Sequence, residues 1–378
     1  MRICHIGVIS FESQTTERES KAIGGIQSYI LELIKYSLDR NLNIEFVGKI
    51  YNYEKHKKLI YHQIQNKLSS TNKFLIHLFF KSLFLKFRKN TIIHAHRPDH
   101  LSAFIFFKKN LSIISLHGQQ AHTVNIRKGI IVRTIYRILE KYAFKRASYL
   151  IAVDNKTKEF YSSLYPMLAK KIVIIPTSVD TRVFKPMDGS QQREKLGIST
   201  NNKIILYIGR IEPPKRIKEI IEAFKIISEE NKNYKLFLVG DGIQLSEMKE
   251  LTNKMKMTES VLFLGVRKKR ELPAIYNAAN ISILYSGNEG SPLSVKESLA
   301  CGIPVVANDV GDISEIIKDG VNGYVVRQET TAELAKFILE CINKSYYMKE
   351  ACIKSITNFT SDKVNKKVIE LYKEVING

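Results

Sequence analysis

Short β-branched apolar runs alternate with stretches of helical periodicity from one end of this chain to the other, and few folds tolerate that rhythm. Candidate strands lie at residues 3–9, 43–47, 91–94, 112–116, 149–153 and 171–175, with helical patterns such as 26–38 and 132–146 between them. A second set lies at 203–208, 235–239, 261–264, 281–284, 305–307 and 323–326, with helices such as 217–229 and 333–342. Strands separated by helices of ten to fifteen residues predict parallel sheets joined by right-handed crossovers. Two such sets predict an α/β chain of two Rossmann-like domains rather than one oversized sheet. The join is expected in the aperiodic IPTSVDTRVFKP, between Pro176 and Pro186, giving domains over 1–180 and 181–360. The last segment, 361–378, reads as a helix opened by Ser361 or Asp362 and is expected to pack back on the first domain.

Composition then narrows the class. Of 378 residues 44% are hydrophobic and 25% charged, enough apolar material for large cores and too much for a disordered chain. Cys4, Cys301, Cys341 and Cys352 form no C-x-x-C pair and no zinc spacing, so they read as small buried hydrophobes in a reducing compartment. No apolar run reaches the length of a spanning helix and the N-terminus does not resemble a signal peptide, so a cytoplasmic location is expected. The net charge is +22, and residues 51–150 hold nineteen basic against three acidic residues. That excess predicts a partner bearing phosphate: nucleic acid, an anionic membrane or a phosphorylated substrate.

Four places can carry chemistry. Gly24 and Gly25 precede a helix, where glycine allows positive φ and a ligand can approach free N–H groups; a plain turn fits them equally well. His117, followed by Gly118, ends a strand, and open parallel sheets bind ligands beyond the carboxyl ends of strands. A loop carbonyl could equally satisfy that imidazole. Arg210 and Lys215 follow another strand and could grip phosphate, although most such side chains are simply solvated. In SGNEGSPLSVKESLACGIPVV, Glu289 and Glu297 stand eight apart beside the start of a helix, placed to accept hydrogen bonds from sugar or ribose hydroxyls. Helix capping accounts for one of these acids but not for the whole string.

Taken in order, GRIEPPKR, LVGDG, EGSPLSVKE, SLACGIPVVA and EIIKDGVNGYVV resemble the retaining glycosyltransferases of family four (glycosyl transferases group 1), with looser matches at AIGGIQSYI, SLHG and IIPTSVDTRVFKP. The resemblance implies a GT-B architecture, two Rossmann-like domains facing a central cleft. It implies that Arg210 and Lys215 hold the diphosphate of a nucleotide-diphosphate sugar, a UDP- or GDP-sugar. Glu297 would receive the ribose hydroxyls and Glu289 the hydroxyls of the transferred sugar, with Leu293 offering a backbone N–H. Gly24 and Gly25 would approach the diphosphate, and His117 the donor sugar near the reaction. It implies no cofactor and no metal; two cations and a helix N-terminus can stabilise a leaving diphosphate. The sequence departs from the family at Ser291-Pro292, where Phe-Gly is common, at Thr177-Ser178, and at Val310-Gly311, where Gly-Gly is common. A sugar-nucleotide epimerase or phosphorylase on the same scaffold is the alternative enzyme. A non-enzymatic nucleic-acid-binding protein is the alternative of another class, but it lacks any helix-turn-helix, zinc, RNP or KH signature.

One further segment bears on location. In KFLIHLFFKSLFLKFRK, residues 73–89, a helical wheel places Ile76, Phe79, Phe80, Leu83 and Phe87 in one stripe, flanked by Lys73, His77, Lys81, Lys86, Arg88 and Lys89. With the basic excess around it, this predicts peripheral association with the inner face of the cell membrane. The expected acceptor is then a glycan, lipid-linked, of cell-surface polysaccharide, lipopolysaccharide or glycolipid synthesis, with no nucleic acid as partner.

Overall fold

A computed structural model describes residues 1–10, 24–51, 56–64, 71–88, 90–105, 111–119 and 130–378. They divide into two compact units: residues up to 177 together with 361–378, and residues 178–360.

The first unit is built on a seven-stranded sheet. Its strands are β1 (Arg2–Ser10), β2 (Asn43–Tyr51), β3 (Leu59–Gln63), β4 (Thr91–Ala95), β5 (Ser112–Leu116), β6 (Tyr149–Ala152) and β7 (Ile172–Ile174), in the order β3-β2-β1-β4-β5-β6-β7. The second unit has β8 (Lys203–Ile208), β9 (Tyr234–Val239), β10 (Val261–Gly265), β11 (Ile281–Leu284), β12 (Val305–Asn308) and β13 (Gly323–Val326), ordered β10-β9-β8-β11-β12-β13. Every pairing is parallel. Both units are thus Rossmann-like, as the alternating pattern implied. The strand missed from sequence is β3, whose LIYHQ lacks a continuous apolar run because it sits at the sheet edge.

A sheet covered on both faces buries both side-chain rows, which is why β4 and β5 are buried at every residue. β1 sends Ile3 and Ile9 to one cluster and Cys4 and Ile6 to the other. Onto the Ile3 face pack the helix Gly25–Asp39, through Tyr29, Ile30, Leu33 and Ile34, and the C-terminal helix Ser361–Asn377, through Val364, Val368, Leu371 and Val375. The last four recur every three or four residues, the stripe of an amphipathic helix. Tyr36 OH donates to the Asp362 carbonyl at 3.1 Å, fixing where that helix begins on the sheet.

The basic segment departs from its expected geometry. Its helix, Thr71–Phe84, ends before Leu85. Phe74, Leu78 and Leu85 are buried, and Phe79 and Phe87 pack against the same core, so two members of the expected surface stripe face inward. Ile76, Phe80, Leu83 and Phe84 remain exposed, because the segment has more apolar residues than one core-facing row can use. Lys89 lies outside the described residues, as does the side chain of Lys73. All four cysteines are free and buried. Among the described residues no helix is long and apolar enough to cross a membrane.

Candidate functional site

In each unit the strand order reverses beside its first strand, between β1 and β4 and between β8 and β11. Crevices at the carboxyl ends of strands at such a reversal are where open parallel sheets bind ligands. In the second unit β8 runs into Gly209-Arg210, a short 3-10 turn Pro213–Lys215 and the helix Ile217–Glu230. β11 runs into the loop bearing Glu289 and then the helix Leu293–Ala300. The Pro214 carbonyl ties the two loops together, accepting from Ser286 Oγ at 2.9 Å and from the Gly287 N–H at 2.7 Å. Glycine is needed where backbones crowd this end of the sheet. Gly240, after β9, has φ +138°, and a Cβ there would lie 1.9 Å from the Gly209 carbonyl oxygen.

The structure brings Lys215 and Glu289 together across the reversal, the ammonium meeting Glu289 Oε1, with both side chains mostly buried. Arg210 stands on the same loop with its guanidinium more than half exposed, 2.7 Å from Glu212. Both expected diphosphate cations therefore hold a carboxylate in this structure. A nucleotide diphosphate could take over the cations while sugar hydroxyls take over Glu289, an exchange of charge-assisted hydrogen bonds rather than their loss. Glu297, on the second turn of its helix, is buried, and Tyr276 OH donates to it at 3.1 Å. Burial pushes the Tyr276 phenol well up, so it stays a neutral donor. Pro292 caps this helix in extended conformation, and Leu293 is its first residue.

Three further residues meet beside the site, two of them, Ser291 and Lys296, from within the EGSPLSVKE segment but given no role there. Ser291, Lys296 and Asp312 converge, buried, behind the Glu289 loop, with Lys296 Nζ 2.8 Å from Asp312 Oδ2. Arg216, left-handed at φ 47°, pairs with Glu329 at 2.6 Å, and Glu329 also accepts from Asn308. The helix that carries Lys296, LSVKESLA, also carries Glu297 and two serines, so nothing in its pattern set the lysine apart from a solvated one.

In the first unit Gly24 is the residue before its helix, with φ −70° and ψ 158°. The positive φ expected of it is absent; ordinary extended backbone serves at a helix start. What glycine leaves there is open space, since a Cβ at Gly24 or Gly25 would meet nothing within 4 Å. His117 follows β5 directly, its ring edge-on to Tyr29 at 4.9 Å. Burial lowers its pKa to about 4, so it is a neutral imidazole near pH 7. It belongs to a larger group. His5 Nδ1 and His96 Nε2 are 3.1 Å apart, and His94 hydrogen-bonds Tyr372 OH at 2.6 Å and Ser115 Oγ at 2.8 Å. His5, His94 and His96 present ligand atoms within 4.8 Å of one another. They suit a metal by type, but both nitrogens of His94 are already engaged. Only His94 and His96 are close in sequence, and such a pair on its own carries no ligand spacing, so the sequence did not reveal the group.

Comparison with known proteins agrees with this geometry. Residues 188–359 match the family described as Glycosyl transferases group 1, and residues 23–183 match Glycosyltransferase Family 4. The alpha-monoglucosyldiacylglycerol synthase of Streptococcus pneumoniae is 28% identical over 75% of this chain and 66% of its own length. The UDP-Gal:alpha-D-GlcNAc-diphosphoundecaprenol alpha-1,3-galactosyltransferase of Escherichia coli is 26% identical over 65% of each. The N-acetyl-alpha-D-glucosaminyl L-malate synthase of Bacillus anthracis is 29% identical over 55% of each, so the matched stretches span from about half to two thirds of these relatives. Among solved structures, sucrose-phosphate synthase from Thermosynechococcus elongatus superposes with a TM-score of 0.83 at 18% identity, covering 100% of this chain and 99% of that one. Anabaena HepE in complex with UDP-glucose does so with a TM-score of 0.78 at 19% identity, covering 99% and 100%. The fold is GT-B, and the chain belongs to the group 1, family four glycosyltransferases.

Proposed function

We propose that this protein transfers a sugar, with retention and without a metal, from a UDP- or GDP-sugar to a lipid-linked glycan or glycolipid acceptor in cell-surface polysaccharide, lipopolysaccharide or glycolipid synthesis. The observation that carries the reading is the Lys215–Glu289 pair, held across the strand-order reversal with Arg210 beside it and Glu297 one helix turn beyond. Arg210 and Lys215 bind the diphosphate and stabilise the charge that grows on it as the glycosidic bond breaks. Glu289 orients the sugar, Glu297 the ribose. The Leu293 N–H, at a helix N-terminus, adds a donor toward the anion. His117, neutral, offers a hydrogen bond to the donor sugar, and Gly24 and Gly25 leave room for it. Relatives named for diacylglycerol and undecaprenol acceptors, and a structural neighbour solved with UDP-glucose, support this choice of substrates.

Peripheral attachment to the cytoplasmic face of the membrane fits the same reading. Ile76, Phe80, Leu83 and Phe84 are exposed beside exposed Lys81, Lys86 and Arg88. The helix Ile130–Arg146 also exposes Ile135, Ile138 and Tyr142, beside Arg137 and Lys141. A cationic surface with apolar side chains suits an anionic bilayer.

The test is a panel of UDP- and GDP-sugars scored for release of nucleoside diphosphate, with and without chelator. We expect one donor or a few related ones to be hydrolysed at a rate the chelator leaves unchanged. The preferred donor, present at 100 Kd, should raise stability by ~2.7 kcal/mol. If no nucleotide sugar is hydrolysed and none stabilises the protein, the reading is overturned.

A further inference from the structure

We infer that Lys296, Asp312 and Ser291 are positioning residues for Glu289, fixing the sugar-facing loop so that they govern turnover and leave nucleotide affinity alone; this rests on the donor-site reading above. Lys296 is 0% exposed, Asp312 1% and Ser291 7%. Asp312 Oδ2 accepts from Lys296 Nζ at 2.8 Å and from Ser291 Oγ at 2.5 Å, and Lys296 Nζ also meets Ser291 Oγ. The ammonium lies 4.8 Å from the centre of the Phe359 ring. A buried ion pair is a poor source of stability, because apolar residues of similar volume often do as well or better. What it supplies is geometry. The three side chains come from three pieces of chain: the loop after β11, the helix Leu293–Ala300 and the turn after β12.

The backbone repeats the tie. The Asp312 N–H donates to the Gly290 carbonyl at 3.0 Å. Gly311 has φ +54°, and a Cβ there would sit 1.6 Å from that same carbonyl oxygen, so the turn must carry glycine at 311, whereas Val310 is tolerated beside it. Residues 290 and 291 are thereby clamped, and Glu289 precedes them directly. Ser291 is also where the sequence departs from the family's Phe, and the departure coincides with its two buried partners. Glu297 is held separately, by Tyr276, so the ribose side does not depend on the triad. Misplacing a group at a reacting centre by about 1 Å can cost ~10²-fold in rate.

The experiment compares Lys296→Met/Asp312→Leu, Ser291→Ala and Glu289→Gln with the native protein. Affinity is read with UDP and GDP, and turnover with the donor hydrolysed fastest in the panel. We expect the double variant to bind nucleoside diphosphate within about threefold of native and to lose ~10- to 100-fold in kcat. Glu289→Gln should show the same split. If the double variant does not fold, Ser291→Ala decides, since it removes only a hydroxyl; a fall of about tenfold in kcat at unchanged affinity is expected. A kcat within about threefold of native while Glu289→Gln falls would overturn the inference and spare the donor site. Equal losses of affinity and kcat would also overturn it, as the mark of a merely structural role. Unchanged turnover in Glu289→Gln would overturn the donor-site reading itself and this inference with it.

Discussion

All nine histidines of the chain fall within its first 122 residues, and the second unit has none. The two units share a strand order around β1 and β8, yet they place different chemistry at the reversal. The first collects His5, His94, His96 and His117 with Tyr29, all neutral at pH 7 because burial lowers each imidazole. The second collects full charges, paired with one another: Lys215 with Glu289, Arg210 with Glu212, Lys296 with Asp312. Charges suit the diphosphate end of a donor, where a leaving group gains charge. Neutral hydrogen-bonding groups suit sugar hydroxyls, which stay uncharged throughout. One backbone plan thus carries two kinds of chemistry, and the units should part company under acid, under mutation and at a lipid surface.

Acid should produce the largest separation. A histidine titrating near 6.5 when unfolded, but near 3 to 4 when folded, binds its proton first in the unfolded chain. Its stabilisation is complete above pH 6.5 and is lost as pH falls toward 4. For His117 the shift is worth about 3 kcal/mol, and four other buried histidines, His5, His94, His96 and His100, push the same way. In the second unit the lowered carboxylates, Asp180 and Glu329, lose their stabilisation only as pH falls below their ordinary values of 3.8 and 4.5. Hydrogen exchange at pH 5 should therefore expose β1, β4 and β5 while β8, β11 and β12 stay protected. Loss of protection in both units together would break the comparison.

Mutation comes next. Arg210→Ala should lower kcat by ~10²–10³, the usual cost of removing a preorganised charged donor, with the melting temperature unchanged because the side chain is more than half exposed. His117→Ala removes one hydrogen bond to an uncharged partner, worth ~0.5–1.5 kcal/mol, so a loss of about tenfold or less is expected. Its contribution should not titrate between pH 5.5 and 8, since the ring is already neutral there. Steady-state kinetics on the preferred donor would check both, and an Arg210 effect no larger than that of His117 would remove the distinction.

A smaller effect runs in the opposite pH direction within the first unit. Glu140 is buried, with Tyr165 OH donating to it at 3.0 Å, and burial raises its pKa to about 7. An acid whose folded pKa is raised is most favourable below its unfolded value of 4.5 and loses ground as pH rises through 7. Glu140→Gln keeps an acceptor for Tyr165 and cannot ionise. Thermal melts should show it about 2–3 kcal/mol more stable than native at pH 8 and equal at pH 4.5. A variant destabilised at every pH would mean that the carboxylate is needed in place.

The two units were not equally legible. Parallel strands covered on both faces are continuous apolar runs, so β4, β5, β8 and β11 could be read directly; β3, an edge strand with a polar face, could not. Lys215 and Glu289 stand out because charged residues beside glycine and proline at strand ends have few structural reasons to be there. The histidine group was invisible because His5 is on β1, His94 and His96 are at the end of β4 and His117 is just past β5, and only the register that sets His5 beside His94 assembles them. Lys296 and Asp312 were missed for a similar reason. A lysine in a helix reads as solvated, and its burial depends on a turn sixteen residues away.

The smallest effect concerns the surface: among the described residues the first unit exposes Phe80 and Phe84 inside the strongly basic stretch 51–150, whereas the exposed Tyr346 and Tyr347 of the second unit lie on a helix of nearly balanced charge. Phe84 is 82% exposed and Phe80 57%, next to Lys81 on the same helix. A lysine near an anionic bilayer contributes ~1 kcal/mol, so Lys81→Ser should weaken binding to phosphatidylglycerol vesicles about fivefold. Phe84→Ser should weaken it more, by the transfer free energy of a ring, ~1.5–3 kcal/mol. An exposed lysine of the second unit supplies the control: Lys254→Ser, at the end of the helix Leu245–Lys254, should leave binding unchanged. Vesicle sedimentation at low and high salt separates the contributions, because salt screens the lysine but not the ring. Equal binding to neutral and anionic vesicles, or equal loss from Lys81→Ser and Lys254→Ser, would place attachment on general charge rather than on this face. No binding to either vesicle would point to a soluble acceptor. The fivefold step matters despite its size, because it asks whether the basic excess of residues 51–150 acts through one helix or through the whole unit.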